Sequence, residues 1–293
     1  MFGLKKVGEN TYYIDFPSKI GIYKCSDKEV CFIDSSNDEG TGKRALKLIR
    51  EQGWELKAIF NTHCHADHVG GNAYLQRETG CKIYCSEMDM GAVNHTILNP
   101  IMLHGGYPLK ELFNKFYLAE SSVCEPLTPD VLPRGLSMVD LSGHTLGMYG
   151  FKTDDGVFFI ADSVTSEKTL ERYMATYLVD IPKSLDTLDK LLSDDSKLFI
   201  ASHAEATEDI SELVEINRKS IFDMLMFVKE SCREKITHEG LVKLMFENSS
   251  GPFNMSQYSL LSSTLRSYVS YLHNSGELQL ILEGNTVYFK TEV

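Results

Sequence analysis

The chain has 293 residues, 43% of them hydrophobic, which is enough to bury a full core and more than one small domain requires. Twenty-nine basic against 41 acidic residues leave a net charge of -12, which argues against nucleic acid or an anionic membrane as the main partner. No apolar run nears the roughly 20 residues that span a bilayer, the N-terminus lacks a signal-peptide pattern, and seven scattered cysteines form no secreted-domain framework, so a cytoplasmic protein with reduced thiols is expected.

Residues 1 to 34 alternate β-rich pieces (TYYIDF, KIGIYKC, EVCFID) with turn residues and predict an antiparallel meander. A helix from Asp38 to Gln52, closed by Gly53, precedes the strand LKAIFN, a helix over 68 to 79 ending at Gly80, and the strand CKIYC. In the long connection from Glu87 to Asp130, PLKELFNKFYL reads as a helix with Leu109, Leu112, Phe113 and Phe116 on one face, a face that serves either core packing or substrate contact. GMYGFKT and GVFFIAD flank an Asp-Asp-Gly turn and read as a hairpin, and SLDTLDKLL is a short amphipathic helix before the strand KLFIA. Helices outside two sheets are the natural architecture for this order, an α/β sandwich over residues 1 to 206.

From 207 to 293 the chain is mostly helical. ISELVEINRKSIFDMLMFVKESC reads as one long helix, another lies near 238 to 247, and a third near 255 to 274 is opened by Asn254 with Gln257 three residues on. Two β-rich runs, LQLIL and TVYFK, close the chain around Glu-Gly-Asn, giving a winged-helix-like second domain.

The chemistry begins where LKAIF stops, at Asn61-Thr62-His63-Cys64-His65-Ala66-Asp67-His68. In an extended segment alternate side chains share a side, so His63 and His65 can face one metal while the following turn aims Asp67 and His68 at a second. Alternation turns Cys64 away, as a small buried residue rather than a nucleophile.

This cluster resembles the hallmark His-x-His-x-Asp-His of the metallo-β-lactamase superfamily, whose later ligands are single His, Asp and His residues at strand ends. Gly143-His144-Thr145, Ala161-Asp162 and Ser202-His203 stand in the matching places. The resemblance implies that His63, His65 and His144 hold one metal, that Asp67, His68 and His203 hold the other, and that Asp162 bridges them. It further implies two zinc ions, with Asp67 also able to accept a proton from the attacking water. Leu146, Ala161 and Ser202 depart from the proline and glycines common in the family, which changes backbone freedom at those turns but removes no ligand.

The expected activity is metal-dependent hydrolysis of an ester, thioester or lactone in a small molecule. One alternative is a persulfide dioxygenase, whose iron (Fe2+) would sit on His63, His144 and Asp162. The Gly-Arg-Thr-Asp-Phe-like segment common to persulfide dioxygenases and glyoxalase II thioesterases has no match after Asp162. A phosphodiesterase is a second alternative, opposed by the five basic and six acidic residues of 233 to 293, a poor footprint for a phosphate backbone. The appendage is therefore expected to cap the site or to mediate a homodimer. A metal-binding scaffold without turnover is the non-enzyme reading, opposed by seven filled ligand positions. His104, Tyr107, Phe116 and Tyr173 are the expected substrate contacts, with Tyr177 a further candidate for the pocket.

Overall fold

The structure, a computed structural model, describes residues 3–292. Strands β1 (Leu4–Lys6), β2 (Thr11–Ile14), β3 (Ile20–Lys24) and β4 (Glu29–Ile33) form the antiparallel meander expected from the N-terminal alternation. Helix α1 (Glu39–Glu51) follows, its first turn closed by a reciprocal cap in which Asp38 accepts from the Thr41 amide and Thr41 accepts from the Asp38 amide. It crosses to β5 (Glu55–Phe60), which pairs parallel with β4.

The expected helix over 68 to 79 is two helices, α2 (Ala66–Val69) and α3 (Asn72–Thr79). Gly70 and Gly71 separate them because the 35–38 loop lies against their backbone: a methyl group on Gly70 would sit 2.3 Å from the Asn37 carbonyl carbon, and the two amides donate to Ser36 O and Ser35 Oγ. The break turns α2 so that its side chains face the end of β5. Strands β6 (Lys82–Cys85) and β7 (Glu125–Pro126) complete a seven-stranded sheet in sequence order, β4 to β7 running parallel.

Between β6 and β7 lie α4 (Met90–Asn94) and α5 (Leu98–His104). The helix expected at PLKELFNKFYL is reduced to a single tight turn, Lys110–Leu112. Leu112 is buried, whereas Leu109, Phe113 and Phe116 are exposed, so the apolar residues do not share one packed face. Asn114 explains the failure, since its side chain donates to Glu111 O and accepts from the Phe116 amide, replacing helical bonds with local ones.

The second sheet has the order β11-β10-β9-β8, from β8 (Leu136–Asp140), β9 (Tyr149–Thr153), β10 (Val157–Thr165) and β11 (Leu198–His203). The β9–β10 hairpin is antiparallel as expected, and α6 (Glu167–Tyr173) and α7 (Ile181–Leu192) carry the chain from β10 to its parallel neighbour β11. The C-terminal part consists of α8 (Ser211–Ser231), α9 (His238–Asn248), α10 (Met255–Asn274) and the hairpin β12 (Leu278–Glu283)/β13 (Thr286–Thr291). The hairpin is tied back by the Ile236–Phe289 bridge. At the start of α10, Asn254 accepts from the Gln257 amide, the cap read from the sequence.

Period-two alternation sorts the sheets into layers. On β4, Val30 and Phe32 pack under α1 and α3 while Cys31 and Ile33 face the other sheet; on β10, Phe158 and Ile160 pack under the helices while Val157 and Phe159 meet Cys31, Phe60 and Phe151 in the middle. The result is the αββα sandwich with a C-terminal helical region. The outer core under the second sheet runs on without a break from Leu141 to Leu278, so α8, α9 and α10 share a core with β10 and β11. No helix among the described residues is long and apolar enough to cross a membrane.

Candidate metal centre

The loops at one end of both sheets bring together all seven residues singled out by the sequence. The strand β5 stops at Phe60, and its extension carries His63 and His65; α2 carries Asp67 and His68; the β8–β9 loop, the end half of β10 and the end of β11 supply His144, Asp162 and His203. They form two groups, His63, His65 and His144 in one and Asp67, His68, Asp162 and His203 in the other, with the donor atoms of each group within 4.8 Å of one another.

In the first group the imidazole nitrogens converge. His63 Nε2 lies 3.1 Å and His144 Nε2 2.9 Å from His65 Nδ1. The remaining nitrogens are committed elsewhere. His144 Nδ1 donates to Tyr177 O at 2.7 Å. Thr62 Oγ1 gives its one proton to Asp34 Oδ2 and therefore accepts from His63 Nδ1 at 3.0 Å. Both bonds place the proton away from the centre, so Nε2 of His63 and His144 present lone pairs to the same point. Burial holds His63, His65 and His144 below the ordinary histidine value, His65 at about 3, with the neighbouring rings adding to the effect on His63 and His65.

The second group is ionic. His203 Nε2 lies 3.1 Å from Asp67 Oδ2 and 3.3 Å from Asp162 Oδ2, and His68 Nε2 lies 3.2 Å from Asp162 Oδ1. Burial opposes every charge here, yet the carboxylates prevail: Asp162 and Asp67 raise His203 to about 10, and with Asp34 they raise His68 well above its usual value. The histidines in turn hold Asp67 and Asp162 low against the loss of water around both. Asp162 belongs to both groups, since its Oδ2 is also 3.5 Å from His144 Nε2.

The donor chemistry fits divalent metal. Three neutral imidazoles on one side and two carboxylates with two imidazoles on the other suit zinc. Asp162 Oδ1 is buried with no well-formed hydrogen bond, its facing group being His68 Nε2 at 3.2 Å, a polar atom whose environment a cation would complete.

Two backbone features deliver the ligands. Gly143 has φ +139°, and an added methyl group would meet Ser184 at 2.5 Å, so the turn bearing His144 packs on the start of α7 through a bare backbone. Ala161, next to Asp162, has φ +49° and sits in an irregular stretch of β10, where the register with β11 shifts on either side of it. A residue with a side chain therefore occupies left-handed backbone at the point where glycine would be unstrained.

The sequence reading missed Asp34. It directly follows β4, is buried, accepts from His68 Nδ1 at 2.7 Å and from the Thr62 amide at 2.8 Å, and so fixes the ring that faces Asp162. Its position at the end of an apolar strand was the available signal. Cys64 is buried away from the donor nitrogens, with Asn99 donating to its carbonyl at 2.9 Å.

A cavity of about 730 Å³ opens over the two groups. Phe116, Tyr173 and Tyr177 line it, whereas His104, at the exposed end of α5, and Tyr107, which is 78% exposed beside Phe113, do not. Tyr117 and Asn99 are further lining residues, and the first turns of α10 from Asn254 to Leu261 form one wall.

The model of the metallo-beta-lactamase superfamily matches residues 15–203, which contain every donor named above. Among curated proteins, a hydroxyacylglutathione hydrolase of Erythrobacter litoralis is 27% identical over 128 residues, covering 43% of this chain and 41% of that protein. The chain thus spans about two fifths of the length of that relative. Among solved structures, a beta-lactamase domain protein from Burkholderia ambifaria superposes with a TM-score of 0.74 at 15% identity, over 99% of this chain and 93% of the other. A metallo-beta-lactamase family protein from Thermus thermophilus gives 0.69 at 16% identity, over 100% and 98%. These two likenesses are of fold, and they extend through the C-terminal helices.

Proposed function

The chain belongs to the metallo-beta-lactamase superfamily; from that premise we propose that it is a metal-dependent hydrolase, that its two donor groups hold two zinc ions, and that its substrate is a small acyl compound, an ester, thioester or lactone. The observation that carries the dinuclear reading is Asp162, one carboxylate whose two oxygens lie 3.2 to 3.5 Å from His68, His203 and His144. A single-iron site on His63, His144 and Asp162 would leave Asp67, His68 and His203 without a task.

When bound, such cations lower the pKa of water towards neutrality and polarise the carbonyl oxygen under attack. The protein's own groups do the rest. Tyr177 O and Thr62 fix the tautomers of His144 and His63, and Asp34 orients His68. Asp67, partly exposed among the cavity-lining residues, is placed to accept a proton from the attacking water. The walls of the cavity remove bulk water from the reacting carbonyl.

Elemental analysis of protein purified without added metal, run beside ester, thioester and lactone substrates, tests this reading. Two zinc ions per chain with acyl hydrolysis are expected. Asp162→Ala is expected to lose metal from both groups and at least about a thousandfold in kcat/KM. One iron per chain with oxygen consumption would replace the proposal with a dioxygenase.

A further inference from the structure

We infer that the cavity over the metal centre is built for an uncharged substrate with a hydrocarbon acyl chain, and that α10 of the C-terminal part selects it. The inference rests on the hydrolase reading for the position of the scissile bond, and on the cavity walls for the rest of the substrate.

Away from the donors the walls set apolar side chains beside neutral polar ones such as Thr165, Thr169 and Gln257. Leu103, Phe116, Val164, Met255, Leu260 and Leu261 line the cavity, drawn from α5, the 105–118 segment, β10 and α10. At about 730 Å³ the space is in the range that encloses a small organic molecule rather than a metal and its water alone. Among the described residues that line it, none is lysine or arginine; the charged ones besides histidine are Asp67, Asp162 and Glu111. Of the cations adjacent in sequence to lining residues, Lys115 pairs with Asp38 at 3.1 Å, and Arg172 is exposed, lying over the Tyr173 ring.

This wall chemistry discriminates. A glutathione thioester carries two carboxylates remote from its scissile bond, and a nucleotide or phosphodiester carries anionic groups of its own. Away from the metal centre, the glutathione carboxylates or any further phosphate would meet walls that hold no lysine or arginine among the lining residues. A hydrocarbon chain pays no such cost and gains from every methylene removed from water. The cavity therefore departs from the substrate in the name of the hydroxyacylglutathione hydrolase relative.

The α10 wall is held in place. Tyr117 Oη donates to Ser256 O at 2.9 Å, tying the 105–118 segment to the first turn of the helix, and the Asn254 cap fixes that turn. Met102, Tyr107, Leu109 and Phe113, all exposed, continue the apolar surface along the same segment that bears Leu103 and Phe116.

The test uses the zinc-loaded full chain with para-nitrophenyl esters from acetyl to octanoyl, and S-lactoylglutathione as the anionic comparator. The expected result is a kcat/KM that climbs about three- to fourfold per methylene over the first few, with S-lactoylglutathione at least about tenfold below the octanoyl ester. Leu260→Lys on α10 and Phe116→Asp, at a position 64% exposed, are each expected to cut the octanoyl-to-acetyl ratio at least about tenfold. A flat chain-length profile, or a preference for S-lactoylglutathione, overturns the inference and leaves hydrolysis standing. Calorimetric titration of the metal-free chain with 1-decanol separates the two readings. Decanol binding that Leu260→Lys weakens supports the cavity assignment even where no ester is hydrolysed, and absence of decanol binding overturns it.

Discussion

The two donor groups sit within a few ångströms of each other and solve the same problem in opposite ways. The three-histidine group is neutral at pH 7: burial keeps His63, His65 and His144 unprotonated, and hydrogen bonds to Thr62 and Tyr177 O turn two of the lone pairs inward. The Asp67–His68–Asp162–His203 group is charged, its carboxylates holding protons on His68 and His203 in the space a cation would take. The first group is ready for a cation as it stands, whereas the second exchanges protons for one. Asp162 faces both groups with its own oxygens, and the His63 and His68 rings also meet, their centroids 4.0 Å apart.

Asp34→Asn breaks the comparison most directly. It removes the carboxylate behind His68 directly and reaches His63 only through the Thr62 hydroxyl, while leaving the partner of His144 untouched. Loss of such a partner typically costs metal affinity about 10- to 100-fold, so the second group is expected to lose its metal first and the three-histidine group, reached only through Thr62, to lose less. Competition with a chelator, followed by elemental analysis, reads the two occupancies separately; equal loss from both groups would show that Asp34 braces the whole loop rather than one ring.

Much of this site was legible in the chain, and the reason is geometric. His63, His65, Asp67 and His68 are neighbours in sequence, and His144, Asp162 and His203 each stand just after or within an apolar β run, where side chains at a strand end share one rim of the sandwich. Asp34 escaped because it meets His68 only through the parallel pairing of β4 with β5, a contact across 34 residues that no local pattern records. The segment from 105 to 118 misled for a different reason: its apolar spacing suits a helix, but Asn114 satisfies the backbone locally, and only Leu112 of the supposed face is buried. The cap on α10 could be read from Asn254 and Gln257, yet nothing local showed that this turn closes a cavity begun at His65.

The pH dependence of the metal-free protein sharpens the comparison at the level of stability. His65, depressed to about 3, favours the fold above its unfolded value of 6.5, and that contribution is lost as pH falls from 6.5 towards 3, because the unfolded chain takes up the proton first. His203, raised to about 10, acts in the other direction: its contribution is complete below 6.5 and is lost as pH rises from 6.5 through 10. Thermal unfolding of the metal-free chain is thus expected to peak near pH 6.5, and zinc to remove the alkaline decline, since a bound cation replaces the proton on His203. A metal-free profile that keeps rising to about pH 9 would show that the carboxylates do not hold that proton.

The smallest expected effect concerns the residue that delivers the shared ligand. Ala161 holds left-handed backbone at φ +49°, a conformation that costs a residue with a Cβ about 1 kcal/mol relative to glycine. Ala161→Gly is expected to raise stability by about that amount, partly offset by the greater freedom of glycine in the unfolded chain. Because Asp162 touches both donor groups, any loosening of its peptide is expected to change the two metal affinities together, in contrast to the unequal effect of Asp34→Asn. Denaturant unfolding with chelator competition measures both quantities on the same variant. A one-sided shift in metal affinity would mean that Asp162 is positioned by the ring contacts of one group and not by the strained turn that precedes it.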